Sequence, residues 1–166
     1  MTSPAPADVP GCLGCDLSAG RRQPPGGVIS RTSRWQVNHA VGPLNTGTLV
    51  LAPRQHVVAV ADLDDTAAAE LGPLVRETAR VVEALTLPEQ TYVCSWAHGP
   101  PRRHLHVVVQ AATRALVAEY GGLRAEQLQA RMLAGAGHHP AAAEEVSRFC
   151  TQAREMFRAP GMVSTT

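Results

Sequence analysis

Aromatic side chains are scarce in this chain: Phe, Trp and Tyr together make up 4% of its 166 residues. A core of stacked rings is excluded, so the packing has to come from Val, Leu and Ala. Charge is also thin, at 17%, and nearly balanced, with a net of +1. That balance leaves no electrostatic footprint for duplex nucleic acid or for an anionic membrane. No apolar run approaches the roughly 20 residues a membrane span needs. The opening segment, MTSPAPADVPG, has neither the basic nor the apolar region of a secretory signal. The expectation is a cytoplasmic protein with no membrane and no nucleic-acid partner. Internal repeats are absent as well, and the length suits one domain with a real core.

Cysteine is sparse, with four in the chain. Cys12 and Cys15 form a C-x-x-C pair, which in a reducing compartment is half a metal site or a redox pair. A thiol pair without metal is the plainer alternative. Cys94 and Cys150 stand alone in apolar or helical contexts and suit small buried hydrophobes.

What stands out is the run His104-Leu105-His106-Val107-Val108-Val109-Gln110. Its β-branched residues predict a strand, in which alternate side chains share a face. Two imidazoles two residues apart on a rigid strand can bind a metal or act as nucleophile and base on a phosphate ester. An exposed strand face with idle polar residues is the plainer alternative.

The remaining pattern predicts a short hairpin, Val28–Ser30 with Trp35–Ala40, then a strand at Thr48–Ala52 ended by Pro53. Asp64 is a suitable N-cap for the strongest helix, whose Leu71, Leu74, Val75, Val82 and Leu85 follow helical spacing. Pro73 offends inside that helix, so a kink or a later start is expected, with the end before Pro88. Strands at Tyr92–Trp96 and Arg103–Ala111 follow. Helices are predicted at about 112–120, 123–135 and 140–157, with apolar positions Leu128, Met132, Val146, Phe149 and Phe157 covering the domain or a partner subunit. The fold class is α+β: a five-stranded antiparallel sheet with one main helix and a C-terminal helical extension. The boundaries are a flexible arm at 1–10, the main domain at 11–111 with the C-x-x-C knuckle at its head, the helical extension at 112–158 and a flexible tail at 159–166. Trp35 and Trp96 suit the core, and the His138-His139 pair suits an idle loop.

This layout with its motifs resembles the histidine triad (HIT) superfamily of nucleotide hydrolases and transferases, over about Cys12 to Gln110. Cys12-x-x-Cys15 opens the domain as in zinc-bearing members. The segment Pro43 to His56 looks like the family's turn, strand and P-x-x-H, and Asp62-Leu63-Asp64-Asp65 like the start of its helix. The His-x-His strand then comes where the family has its triad. The family pattern is His-φ-His-φ-His-φ-φ with the middle His as nucleophile, and here only two of the three are present. In one register His104 is the first His, His106 the nucleophile, and Val108 replaces the third. In the other, Arg102 replaces the first and His104 is the nucleophile. The first is preferred, because Gly99 then falls five residues before the first His. It also supplies the zinc set of the zinc-bearing relatives, Cys12, Cys15, His56 and His104, a closed Cys₂His₂ tetrahedron.

The resemblance implies an HIT-like fold, a structural zinc, a homodimer, and a nucleotide substrate. The activity it implies is hydrolysis or transfer of a nucleoside monophosphate from an ester, anhydride or phosphoramidate, through a nucleotidyl-histidine intermediate on His106. Valine at 108 departs from the family, since it cannot donate a hydrogen bond to phosphate. Gln110, Arg102 and Arg103 are the candidates to supply one, with His98 as a phosphate-side donor or substitute ligand. Asn38, His39, Asn45 and Ser95 could line a nucleotide pocket. The alternatives are a catalytically degenerate zinc protein that binds a nucleotide or a partner, and an HIT enzyme repurposed in a biosynthetic pathway.

Overall fold

The computed structural model describes residues 8–42, 45–96, 103–119, 127 and 142–159. Five strands form one antiparallel sheet: β1 (Val28–Arg31), β2 (Trp35–His39), β3 (Thr48–Pro53), β4 (Gln90–Trp96) and β5 (His106–Ala112). Their order across the sheet is β1-β2-β3-β5-β4. Among the described residues the α-helical elements include α1 (Leu13–Ser18), α2 (Asp65–Thr86), α3 (Arg114–Glu119) and α4 (Ala143–Arg158). The expected α+β class and all five strands are present. The last strand begins at His106 rather than Arg103, so His104 stands just outside the ladder. The expected knuckle at the N-terminus is a short helix, α1. The third expected helix, at 123–135, and the His138-His139 loop lie outside the described residues.

One face of the sheet carries α2 and α4. Trp35, Val37, Leu49, Leu51, Val107 and Val109 alternate onto it and pack with Leu74, Val81, Val82, Val146 and Phe149. With few rings available, valine and leucine fill the core, as the composition requires. Trp35 is fully buried and donates its indole N–H to the Ala67 carbonyl at 2.9 Å.

Helix α2 starts where its cap predicts. The Asp64 carboxylate accepts the Ala67 amide at 2.7 Å. It ends at Leu87, a left-handed residue with φ 45°. Pro73 neither delays nor divides the assigned helix. Pro73 and Ala69, whose carbonyl loses its partner, are both exposed, so water can satisfy that carbonyl. On the same helix Glu70 clamps the β1–β2 turn, accepting from Thr32 Oγ1 (2.5 Å), Ser33 Oγ (2.6 Å) and the Arg34 amide (3.1 Å).

Helix α4 lies beside α2 against β1 and is tied to the loop before that strand. Arg154 donates to the carbonyls of Gly26 (2.7 Å) and Val28 (3.3 Å). Gly26 has φ 67°, and a Cβ there would stand 2.6 Å from Cys150 Sγ. Both the backbone and the neighbour therefore demand glycine. Short α3 returns to the opposite face, where Leu116 and Val117 pack on Ala112 and Tyr92.

Candidate metal centre and the His106 face

Helix α1 brings Cys12 and Cys15 under the β5 lead-in. Cys12 is its N-cap residue and Cys15 lies in its first turn, both buried. His56 arrives from the segment after β3, and His104 from the residues just before β5. The ligand atoms of these four side chains lie within 4.8 Å of one another. Cys12 Sγ is 3.2 Å and Cys15 Sγ 3.7 Å from His104 Nδ1, and Cys15 Sγ is 3.4 Å from His56 Nδ1. A tetrahedral cation with ordinary sulfur and imidazole bonds gives ligand–ligand edges of roughly 3.3–3.8 Å. The donor set and its spacing fit such an ion.

The tautomer fits as well. His104 Nε2 donates to the Pro53 carbonyl at 2.9 Å, and a carbonyl can only accept. Nδ1 therefore presents its lone pair to the cysteines, which is how a ligating histidine is oriented. Burial holds the His104 ring below its ordinary pKa, helped by His56 and His106 and opposed by the Pro53 bond. Neutral imidazole is the ligating form. Burial also pushes the Cys15 thiol up to about 11, so a cation binding here displaces a proton. Gly14 completes the cradle: a Cβ there would lie 2.4 Å from His104 Cγ and 2.6 Å from Nδ1.

A cavity of about 470 Å³ opens beside this cluster, lined in part by Cys15, Ser33, Arg34, Arg54, His56 and Asp64. His106 is not among its lining residues.

His106 begins β5 on the face away from α2. It is half-buried, and its Nδ1 donates to the His104 carbonyl at 2.9 Å. In the neutral ring Nε2 then carries the lone pair. Val108 and Gln110 follow on the same face. Across the ladder Val108 stands beside Val50 and Cys94, and Gln110 beside Thr48 and Tyr92. Val50 pairs with Asn38 on β2. Asn38, Thr48, Val108 and Gln110 are all buried.

The other expected pocket residues separate. His39 faces the helices and meets Phe149 edge-on at 6.3 Å. Ser95 pairs with Val107 and so also lies on the helix-side face. Neither shares a face with His106, because each is one residue out of phase with it. Asn45 sits before β3 with a buried, unpartnered Nδ2. Arg103 is exposed. His98 and Arg102 lie outside the described residues. The buried polar strip of Gln36 and Thr48 had no signal in the sequence, since both fall within apolar strand patterns.

No protein-family model matches the sequence, and no curated protein matches it. Solved structures do. A hypothetical histidine triad nucleotide-binding protein from Sulfolobus tokodaii superposes with TM-score 0.64 at 14% identity, covering 87% of this chain and 91% of that one. A zinc-bound histidine triad family protein from Mycobacterium smegmatis gives 0.62 at 15% identity, covering 89% and 95%. The chain has the histidine triad fold. A HIT-like protein from Bartonella henselae, described as involved in cell-cycle regulation, gives 0.60 at 11% identity, covering 85% and 92%. Identities this low leave the histidine triad fold without a sequence-level family match. No helix among the described residues is long and apolar enough to cross a membrane.

Proposed function

We propose that the protein is a member of the HIT superfamily that hydrolyses or transfers a nucleoside monophosphate group, with His106 as nucleophile. The observation that carries this is the His106 Nδ1–H bond to the His104 carbonyl at 2.9 Å. It fixes the ring and its tautomer, so that Nε2 is the nitrogen bearing the lone pair that nucleophilic attack requires. Nε2 forms a bond to the α-phosphorus, the bond from phosphorus to the leaving oxygen or nitrogen breaks, and the leaving group takes a proton. Water or another acceptor then attacks the phosphorus, releases His106, and gives up its own proton. Asn45, Arg103 and Gln110 are assigned to substrate, together with His98 and Arg102.

Cys12, Cys15, His56 and His104 would hold a structural zinc, which supplies a cross-link between α1 and the sheet and takes no part in the chemistry. With His104 among the ligands, His106 is left as the nucleophile. We place the protein in the cytoplasm, where no disulfide need link its four cysteines, as a homodimer.

The test is intact-mass analysis after brief exposure to dinucleoside polyphosphates, nucleoside phosphoramidates and nucleotide sugars. Wild type gains one nucleoside monophosphate and His106→Ala does not. An adduct that survives His106→Ala refutes the assignment. A second reading, binding without turnover, draws on Val108, which sits buried between Val50 and Cys94 where a third polar group would face phosphate. It is the outcome in which nucleotides bind and no adduct or product forms.

A further inference from the structure

The four residues of the Cys/His cluster are not equally enclosed. Cys12 is fully buried and His104 nearly so, and neither lines the cavity beside the cluster. Cys15 and His56 do line it. His56 is half-buried and sits in irregular backbone between β3 and Val60, outside any ladder. Its Nδ1 is 3.4 Å from Cys15 Sγ, so a swing of that ring widens access to the sulfur from the cavity side. The cavity holds about 470 Å³, where one water takes roughly 30 Å³. Ser18, Arg34, Arg54 and Asp64 make its wall polar. A small polar reagent can therefore reach one cysteine of the pair before the other.

The pair is also placed to close on itself. Cys12 and Cys15 share one helical turn, since the Asp16 amide donates to the Cys12 carbonyl at 2.9 Å. Three residues along a helix separate Cα atoms by about 5 Å, inside the window of roughly 4.4–6.8 Å that a disulfide needs. The two sulfurs lie within 4.8 Å of each other. The other two thiols stand apart from the cluster: Cys94 is on β4 beside Val108, and Cys150 is on α4 against the Pro25 carbonyl.

We propose that Cys15 is an oxidation site for a small hydroperoxide entering through this cavity, that Cys12 is its resolving thiol, and that the disulfide they form discharges the metal ion. This rests on the structural-zinc reading above and adds how the ion is let go. Cys15 Sγ, as thiolate, attacks one peroxide oxygen. The O–O bond breaks, and the departing hydroxide takes a proton from solvent to become water. The Cys15 sulfenic acid is then attacked at sulfur by the Cys12 thiolate. An S–S bond forms, the S–O bond breaks, and the second hydroxide also takes a proton and leaves as water. The two thiolates lose two electrons, and the peroxide accepts them. His56 and His104 are what remains of the ligand set, two where a structural site uses four. A disulfide within C-x-x-C spans a single turn, so it does not replace the tie from α1 to the sheet. Thiol exchange reverses the step.

The test uses the zinc-loaded full chain. Hydrogen peroxide is added in small excess, released zinc is read with a chromophoric chelator, and the protein by intact mass and peptide mapping. The expected result is one zinc released per chain, a loss of two hydrogen masses relative to the reduced zinc-free chain, and a Cys12–Cys15 link in the peptide map. The melting temperature falls, and dithiothreitol with added zinc restores it. In a second arm, brief treatment of the zinc-loaded chain with iodoacetamide alkylates Cys15 in several-fold excess over Cys12. Equal labelling, or Cys12 first, overturns the cavity route. Zinc held through the peroxide treatment, or released with oxidation confined to Cys94 and Cys150, overturns the inference while leaving the zinc reading intact. A chain that takes up no zinc at all fails the zinc reading itself, and the release step with it.

Discussion

Replacing Gly14 by alanine sets two effects of opposite sign against each other. Gly14 lies inside α1, and its backbone is outside the left-handed region that favours glycine. By helix propensity alone, Gly14→Ala stabilises by about 1 kcal/mol. The new Cβ, however, would stand 2.4–2.6 Å from three atoms of the His104 ring, where carbon contacts settle near 3.5–4.0 Å. One partner has to move by about 1 Å. The ring cannot swing away cheaply, because its Nε2 is held by the Pro53 carbonyl at 2.9 Å and the next amide, Leu105, by the Val57 carbonyl at 2.7 Å. Metal–ligand distances tolerate only about 0.2 Å, so a shift of that size costs the His104 bond or moves Cys12 and Cys15 away from it. The prediction is a variant that binds zinc more than about 10-fold more weakly, a loss typical of disturbing the shell around a metal. It also melts lower than wild type when both are zinc-loaded. Competition with a chromophoric chelator reads the first, and differential scanning calorimetry the second. If Gly14→Ala keeps one zinc at wild-type affinity and melts higher, propensity has won. His104 is then not the fourth ligand that the geometry implies.

Three further outcomes follow from other parts of the fold. Glu70→Ala should destabilise by about 2–3 kcal/mol in urea titration, since it strips three hydrogen bonds from the β1–β2 turn; no change in midpoint would show the turn to be self-sufficient. Arg154→Met should cost about 1–3 kcal/mol by leaving the Gly26 and Val28 carbonyls without a charged donor, and protease cleavage near residue 26 should speed up if α4 is what holds that loop. His39 is buried, and burial holds its pKa below the ordinary value, against the pull of its bonds to the Ala40 and Asn45 backbone. The unfolded chain therefore takes up a proton there before the folded one does. The stability contributed by neutral His39 is present above about pH 6.5 and is lost as pH falls through the folded pKa. The difference in urea midpoint between wild type and His39→Gln should narrow on acidification, and a constant difference would sink the argument.

The sheet was legible because its strands carry their period plainly. Thr48 to Ala52 and Val107 to Ala111 alternate onto a core made of valine and leucine, and turn residues bound them. The Cys/His cluster was legible for a different reason: the resemblance to zinc-bearing relatives grouped Cys12, Cys15, His56 and His104, and the structure brings their ligand atoms within 4.8 Å of one another. What the sequence hid depends on contacts between distant segments. Glycine 14 looks like turn chemistry until the His104 ring is placed over it. Glu70 looks like one more exposed helix acid until the Thr32 and Ser33 hydroxyls close on it. Placing His39 and Ser95 in one pocket with Asn38 failed on phase alone, since neighbours on a strand face opposite ways.

Val108 stands in the middle of the His106 face, between Val50 and Cys94. Taken by itself it is an apolar residue two positions after His106 on the same strand face. Its neighbours make it part of a row. Asn38, Val50, Val108 and Cys94 stand side by side across four strands, and Asn38 turns its amide back to the His39 carbonyl. The middle of this face is therefore apolar and largely buried, with His106 on one side and the unpartnered Gln110 and Thr48 on the other. A polar residue at 108 would be desolvated beside Val50 and Cys94, at a cost of about 1–3 kcal/mol where no hydrogen bond compensates it. Valine at 108 therefore continues the apolar packing of Val50 and leaves no further buried polar group to satisfy.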